Sequence, residues 1–255
     1  MHIYVADLHL WEHTYFASRE IGSYYETEPL IGNYALTYAL GWCKGKGVQY
    51  HLAKEDNRPQ YADDLAPLNK LGIYLTPAGF DKLRLALTRF NGQIDSYYFR
   101  FAQNAITDIH DLTAKVSAVN YPQSGRIRML GLDSTARFYL LDRDERIVAG
   151  ERLGTGDSPT LPPYIRLGKF MSKARVRWSK PYQARVEDNK PIFAASGLLN
   201  GADLPDTSAL LTFSTYNIHP APILRDVQMR GQFWQFTPPG EKQICLPTGL
   251  RYGVG

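Results

Sequence analysis

The chain has 255 residues, 44% of them hydrophobic and 21% charged, and a net charge of +4. That balance excludes a disordered or fibrous chain and leaves one large or two small globular domains with a real core. No run of about 18 apolar residues occurs, which excludes a membrane-spanning helix, and the mild basicity permits a nucleic-acid partner without requiring one.

The N-terminal segment, Met1 to Trp11, lacks the basic start and apolar stretch of a signal peptide. Residues 2–11 read as a strand. Ile3 and Val5 alternate in one phase, Leu8 and Leu10 in the other, so a bulge is expected near Ala6-Asp7. Residues 14–25 read as a loop. A helix is expected from about Glu28 to Leu40, with Thr27 as its cap, Glu28 and Pro29 in its first turn and Gly41 as its stop. Its residues are apolar nearly all round, which marks a buried helix.

Lys44 to Gly47 read as a flexible turn. Residues 54–78 read as a long connection ending in the apolar run Gly72-Ile73-Tyr74-Leu75. Leu83, Leu85 and Leu87 alternate, Asn91-Gly92 follows, and then Tyr97, Phe99 and Phe101 alternate, which predicts a hairpin. A second hairpin is predicted from Arg126 to Asp142 with its turn at Asp133-Ser134, Ile127, Met129, Phe138 and Leu140 sharing a face. The glycines and prolines of 143–163 mark the best boundary, dividing the chain into residues 1–145 and 146–255. Beyond it, the short apolar runs Pro191 to Leu199, Ala209 to Tyr216 and Gln228 to Phe236, broken by Pro and Gly, read as mostly strands and loops in a β-rich C-terminal part.

Residues 164–178 are the most informative stretch. Arg166, Lys169, Lys173, Arg175 and Arg177 fall there with no acid among them, and Lys180 and Arg185 follow before Glu187. A run of like charge repels itself and is relieved by a negative partner. Tyr164, Phe170, Trp178 and Tyr182 interleave with it. Cations that track phosphates beside rings that stack on bases suit single-stranded nucleic acid. The competing reading is a solvated sheet face. Arg126 and Arg128, at alternate positions of a strand, face one side and could line one groove with Arg166, Lys169, Lys173 and Arg175.

Other motifs carry less. His9-Leu-Trp-Glu-His13 matches a zinc-peptidase spacing, but that motif needs a helix and here it continues a strand. Gly41-Trp-Cys-Lys-Gly45-Lys46-Gly47 is one residue short of a phosphate loop and sits at a helix C-terminus, where the dipole repels phosphate. Gly154-Thr-Gly156 lacks the rest of a dinucleotide fingerprint. Cys43 and Cys245 form no C-x-x-C pair and fit a reduced, cytoplasmic setting, with one disulfide left open. No cofactor is expected. A metal-free ribonuclease built from Tyr, His and Lys stays open.

Several long segments carry a resemblance. They are Arg19-Glu-Ile-Gly22, Tyr25 to Gly41, Leu68-Asn69 through Ala78, Tyr121-Pro-Gln-Ser-Gly-Arg126, Ile165 to Ala174, and Leu246-Pro-Thr-Gly-Leu-Arg-Tyr252. In order and over essentially the whole chain, the sequence resembles the Csc-one family, the family-five subunit of the type I-D CRISPR surveillance complex (Cascade). The resemblance implies an α+β fold, a ferredoxin-like (RRM-type) core with a β-hairpin extension and a β-rich C-terminal part. It implies a non-catalytic role in antiviral defence: binding the 5′ handle of the CRISPR RNA and bridging the backbone and large subunits. Type I-D systems resemble those with a separate RNA-processing nuclease. The Lys-His pair of family-five proteins that cut RNA themselves is missing here. Arg166, Lys169 and Lys173 match the family's basic motif. Arg19 and Arg126 are weaker candidates for RNA contact. A role near target DNA beside its flanking motif stays open, as do two other classes, an endoribonuclease acting on precursor RNA and a purely protein-binding adaptor.

Overall fold

The computed structural model describes residues 1–43, 59–92, 97–100, 105–108, 123–147, 160–188, 192–206 and 209–253. The turn expected at Lys44–Gly47, Phe101 and most of the 143–163 boundary lie outside them. The fold is mostly β. Its first half contains β1 (His2–Leu10), β2 (Arg19–Ile21), β3 (Tyr24–Glu26), β4 (Leu30–Ile31), α1 (Asn33–Ala39), α2 (Tyr61–Lys70), β5 (Ile73–Leu75), β6 (Ala78–Lys82), β7 (Leu85–Gly92), β8 (Tyr97–Arg100), β9 (Ala105–Asp108), β10 (Gln123–Leu130) and β11 (Thr135–Asp142). There follow β12 (Tyr164–Leu167), β13 (Ser172–Trp178), β14 (Tyr182–Gln183), β15 (Arg185–Glu187), β16 (Ile192–Ala194), β17 (Leu199–Asn200), β18 (Ala209–Tyr216), β19 (Ile223–Arg230), β20 (Phe233–Phe236) and β21 (Ile244–Pro247). No helix among the described residues is long and apolar enough to cross a membrane.

The main sheet runs β12-β13-β1-β11-β6-β4. β1 is its centre, antiparallel to β11 on one side and to β13 on the other. Its register with β11 is unbroken from His2 opposite Asp142 to His9 opposite Thr135, so the expected bulge in β1 is absent. The phase change has another cause. Ile3, Tyr4, Val5 and Ala6 are all buried, because both faces of the sheet are covered at that end. The irregularity lies in the neighbour: Ala6 faces Trp178 but Ile3 faces Tyr182, one residue out of step. Ser179 absorbs it, its N–H donating to Val5 O and its Oγ accepting from Val5 N, both at 2.9 Å.

The helix after this strand is shorter than its apolar run. α1 starts at Asn33, and Leu30–Ile31 instead pair with β6 as β4. Thr27 does not cap it. The Thr27 hydroxyl accepts from Phe16 N and donates to Phe16 O. Within residues 14–25, expected as loop, Arg19 onward forms the hairpin β2–β3, which runs to Glu26. Gly41 ends the helical turn at φ +75°, as expected of a glycine stop. α2 replaces part of the expected 54–78 connection. Only Leu65 and Leu68 of it are buried, a periodicity too thin to stand out among Asp63, Asp64 and Pro67. Its acids in the first turn and Lys70 in the last suit the helix dipole.

Neither expected hairpin forms as a pair. The first fails because β7 pairs with β10 and carries Asn91-Gly92 inside the strand, while β8 pairs with β9. In the second, the turn falls as read, with Asp133 at φ +61°. Its two strands part company, β10 joining β7 and β3, and β11 joining β1, β5 and β6. Ile127 and Met129 therefore lie in a different sheet from Phe138 and Leu140. Of the C-terminal runs, Ala209–Tyr216 forms β18 as expected, whereas the 191–199 run holds only the short β16 and the start of β17, and Gln228–Phe236 spans the end of β19 and all of β20.

One core spans the chain, running from Ile3 through Leu36, Leu65 and Phe138 to Val176, Phe233 and Tyr252. At its centre Asp203 is fully buried. It accepts from Asn33 Nδ2 at 2.6 Å, Tyr34 OH at 2.8 Å, Tyr74 OH at 2.8 Å and Gly253 N at 2.7 Å. The Leu246–Tyr252 motif closes this core. Tyr252 is buried, its OH meets Thr37 Oγ1 and accepts from Leu75 N, and Asn69 holds its backbone N–H and carbonyl.

Candidate nucleic-acid interface

The basic stretch forms β12, β13 and the turn between them. Both strands alternate, so Ile165, Leu167, Ala174 and Val176 enter the core while Tyr164, Arg166, Arg175 and Arg177 face solvent. Register places Tyr164 opposite Arg175 and Arg166 opposite Lys173. Directly paired residues share a face, so these five cluster on one side of the sheet. β1 adds His9 opposite Arg175 and Asp7 opposite Arg177. Toward the His2 end the same face is closed, since Val5 and Tyr139 are buried opposite each other and Phe236 packs on the Tyr139 ring. What remains is an open half-face, cationic and aromatic.

Trp11 is the aromatic that sequence reasoning missed. It leaves the end of β1, and its N–H donates to Lys173 O at 3.0 Å. Its ring meets Tyr164 edge-on at 5.2 Å. Lys173 Nζ lies over both rings, 4.8 Å from Trp11 and 4.7 Å from Tyr164. Ring quadrupoles hold the ammonium there and keep two ring surfaces beside a cation. The cross-strand position of Trp11 carries no local signal, which is why its spacing in the sequence points elsewhere.

Glu12 is the second missed residue. Its Oε2 accepts from Lys173 N at 2.6 Å and stands 3.6 Å from Arg166 Nη1, which also donates to Met171 O. Glu12 thus pins the strand end and partly neutralises one cation. Glu12→Gln keeps an acceptor for Lys173 N and removes the charge. It should tighten RNA binding about threefold at low salt and lose that advantage as salt screens it, read by fluorescence anisotropy.

The turn is fixed by glycine. Gly168 has φ +70°, and a Cβ there would sit 2.4 Å from Tyr15 O. Lys169 N donates to Tyr15 O at 2.8 Å and Ser172 Oγ to His13 O at 2.6 Å, so the turn is tied down along residues 13–15. Lys169 and Phe170 remain exposed at its tip. Gly168→Ala should cost about 2 kcal/mol or more through left-handed strain and the clash, seen as a lower melting temperature.

The other basic candidates lie on the second sheet, β2-β3-β10-β7. Arg19 pairs with the buried Glu28 at 2.7 Å and Arg128 pairs with Glu26. Both are held by protein acids. Arg126 is exposed between Tyr24 and Arg89 of the neighbouring strands. The seven candidates therefore divide, with Arg166, Lys169, Lys173 and Arg175 together and Arg126, Arg128 and Arg19 on another sheet.

The histidines of the His9–His13 motif have separate partners. His9 Nε2 meets Asp133 Oδ1 at 3.2 Å and its Nδ1 accepts from Trp11 Nε1 at 3.3 Å. His13 Nδ1 accepts from Leu132 N. Among the described residues no group of three or more His, Cys, Asp or Glu is placed to hold a metal ion.

A family model described as type I-D CRISPR-associated protein Cas5/Csc1 matches residues 1–255. No curated protein matches the sequence. Among solved structures, the chain is similar to one in the cryo-electron microscopy structure of a type III-B Cmr-beta complex bound to cognate target RNA and AMPPnP. That similarity has a TM-score of 0.42 and 10% identity, covering 89% of this chain and 86% of the other. It is also similar to a CRISPR protein from Archaeoglobus fulgidus known from a crystal structure, with a TM-score of 0.36 and 12% identity over 97% of this chain and 100% of that one.

Proposed function

Since the chain belongs to the type I-D CRISPR-associated Cas5/Csc1 family, we propose that it is a non-catalytic subunit of a type I-D RNA-guided surveillance complex. In this role it holds the 5′ handle of the CRISPR RNA on the open half-face of its main sheet and bridges the backbone and large subunits. One observation carries the reading. Arg166, Lys173, Arg175 and Arg177 converge with Trp11 and Tyr164 on one exposed sheet face. Cations spaced along adjacent strands follow a phosphate backbone, and rings set among them stack on bases.

Two further observations support it. The order β13-β1-β11-β6, with β1 antiparallel to both neighbours and helices between β1 and β5, is consistent with a ferredoxin-like core whose sheet face meets RNA. His9, the histidine on this face, is held by Asp133 and Trp11, which favours a positioning role for it.

The test is RNA crosslinking with mass spectrometry on the complex assembled with its CRISPR RNA. Crosslinks from Trp11, Tyr164 and residues 166–177 to the 5′ handle are expected. A chain that joins the complex and crosslinks only to protein is an adaptor instead. Metal-independent cleavage of precursor RNA by the purified chain would make it a nuclease.

A further inference from the structure

A cavity of ≈ 560 Å³ opens between α1 and the β12–β13 turn. The rings of Phe16, Tyr34, Tyr38 and Tyr61 line it. The hydroxyls of Tyr34 and Tyr38 are committed to Asp203 and Asp64, so these side chains offer the cavity ring carbon rather than free O–H groups. Ala35 and Ala39, one helical turn apart, keep its wall open. Arg166 and Lys169 are exposed yet also line it, so the cationic face continues into the cavity without a break.

Shape and charge together specify an occupant. Tyr61 packs on both Tyr34 and Tyr38, so a flat apolar body fits against this ring cluster, and an anion fits against the two cations. The volume lies within the range of roughly 300–1,000 Å³ usual for small-molecule sites. We propose that this cavity takes one nucleobase turned out of the RNA strand, with Arg166 and Lys169 holding the adjoining phosphates. An apolar side chain from a neighbouring protein would fill the cavity but leave both cations unanswered. A free nucleotide would leave unused the line of charge that runs on through Lys173 and Arg175. The inference rests on the handle-binding reading and adds to it that the strand leaves the sheet face and commits a single base.

The experiment is an abasic scan. A synthetic RNA carrying the repeat-derived 5′ segment of a type I-D CRISPR RNA is bound to the full-length chain, with the base removed at one position at a time. One position should stand out, losing about tenfold or more in affinity, the scale of one aromatic-stacked base. Ala35→Trp fills the cavity. In that variant the same position should cost no more than its neighbours, while the salt dependence of binding stays as in the unaltered chain. Should Ala35→Trp not fold, 2-aminopurine at the sensitive position of the RNA gives the readout in the unaltered chain, its emission changing sharply on binding only if the base is enclosed. RNA that binds with a flat abasic profile overturns the cavity assignment and leaves the handle reading intact. A sensitive position that persists unchanged in folded Ala35→Trp places the base elsewhere on the face. RNA that does not bind at all removes both readings.

Discussion

Replacing Arg166, Lys173 and Arg175 together with alanine should weaken RNA binding on the order of a hundredfold and flatten its salt dependence. The slope is the sharper readout. Each phosphate contact to a single strand contributes about 0.7 to the slope of log affinity against log salt, so losing three should reduce it by about 2. Single changes such as Lys169→Ala or Lys173→Ala should each remove about one contact. The aromatic residues supply the contrast. Trp11→Ala and Tyr164→Ala should each cost about 1–3 kcal/mol of binding and leave the slope nearly unchanged, because stacking releases no counterions. Fluorescence anisotropy across a salt series separates the two classes. An unchanged slope in the triple variant would take these cations off the RNA. The double engagement of Lys173 complicates one case, since Trp11→Ala removes a ring that holds the ammonium and should loosen its placement.

Asp203→Ala should be the most damaging single change in the core. Four donors converge on this carboxylate from α1, β5 and the C-terminal segment, and none is a charged partner. Removing the acceptor leaves buried N–H and O–H groups unsatisfied, at about 1–3 kcal/mol each where water cannot enter. A loss of about 4 kcal/mol is expected after local relaxation, lowering the melting temperature by roughly 10 °C in a chain of this size. Asp203→Asn should cost less, since it keeps the shape and one acceptor. Burial, the largest influence, raises the carboxyl above its ordinary value, although the four donors pull it down. The folded state therefore holds the proton more tightly than the unfolded state does. The stability Asp203 contributes grows as pH falls through that raised value toward the ordinary carboxylate range, and it shrinks as pH rises through it. The melting-temperature gap between the natural chain and Asp203→Asn should widen on acidification. A gap that narrows on acidification would mean that the donors, rather than burial, set the proton affinity.

Local sequence made the ends and turns of elements legible wherever one residue type enforces them. Gly41 stops α1 because glycine accepts its positive φ, and the Asp133-Ser134 turn falls where it was read. Strand β18 matches its apolar run, residue for residue. Pairing was not legible. Asn91-Gly92 is a strong hairpin signal, yet β7 takes β10 as its partner across more than thirty residues, because alternation leaves the partner strand open, and Leu85 and Leu87 stay exposed in that pair. β10 and β11 separate for the same reason, since alternation names a face and not a sheet.

The functional face shows the same division. The chain order alone determined a cationic and aromatic segment from Tyr164 to Trp178, its alternation, and membership in a family whose motifs span the whole length. Charge and periodicity are properties of neighbours in sequence, so a sequence can state them. Only the tertiary structure decided which cations act together. It brought Trp11 and Glu12 against Lys173 and His9 against Arg175, each across more than 160 positions, and it gave Arg19 and Arg128 to Glu28 and Glu26. It also set Arg166 and Lys169 at the mouth of an aromatic cavity built on α1. Strand pairing and helix packing are long-range choices, fixed by burying one continuous core, and that core is a property of no single segment.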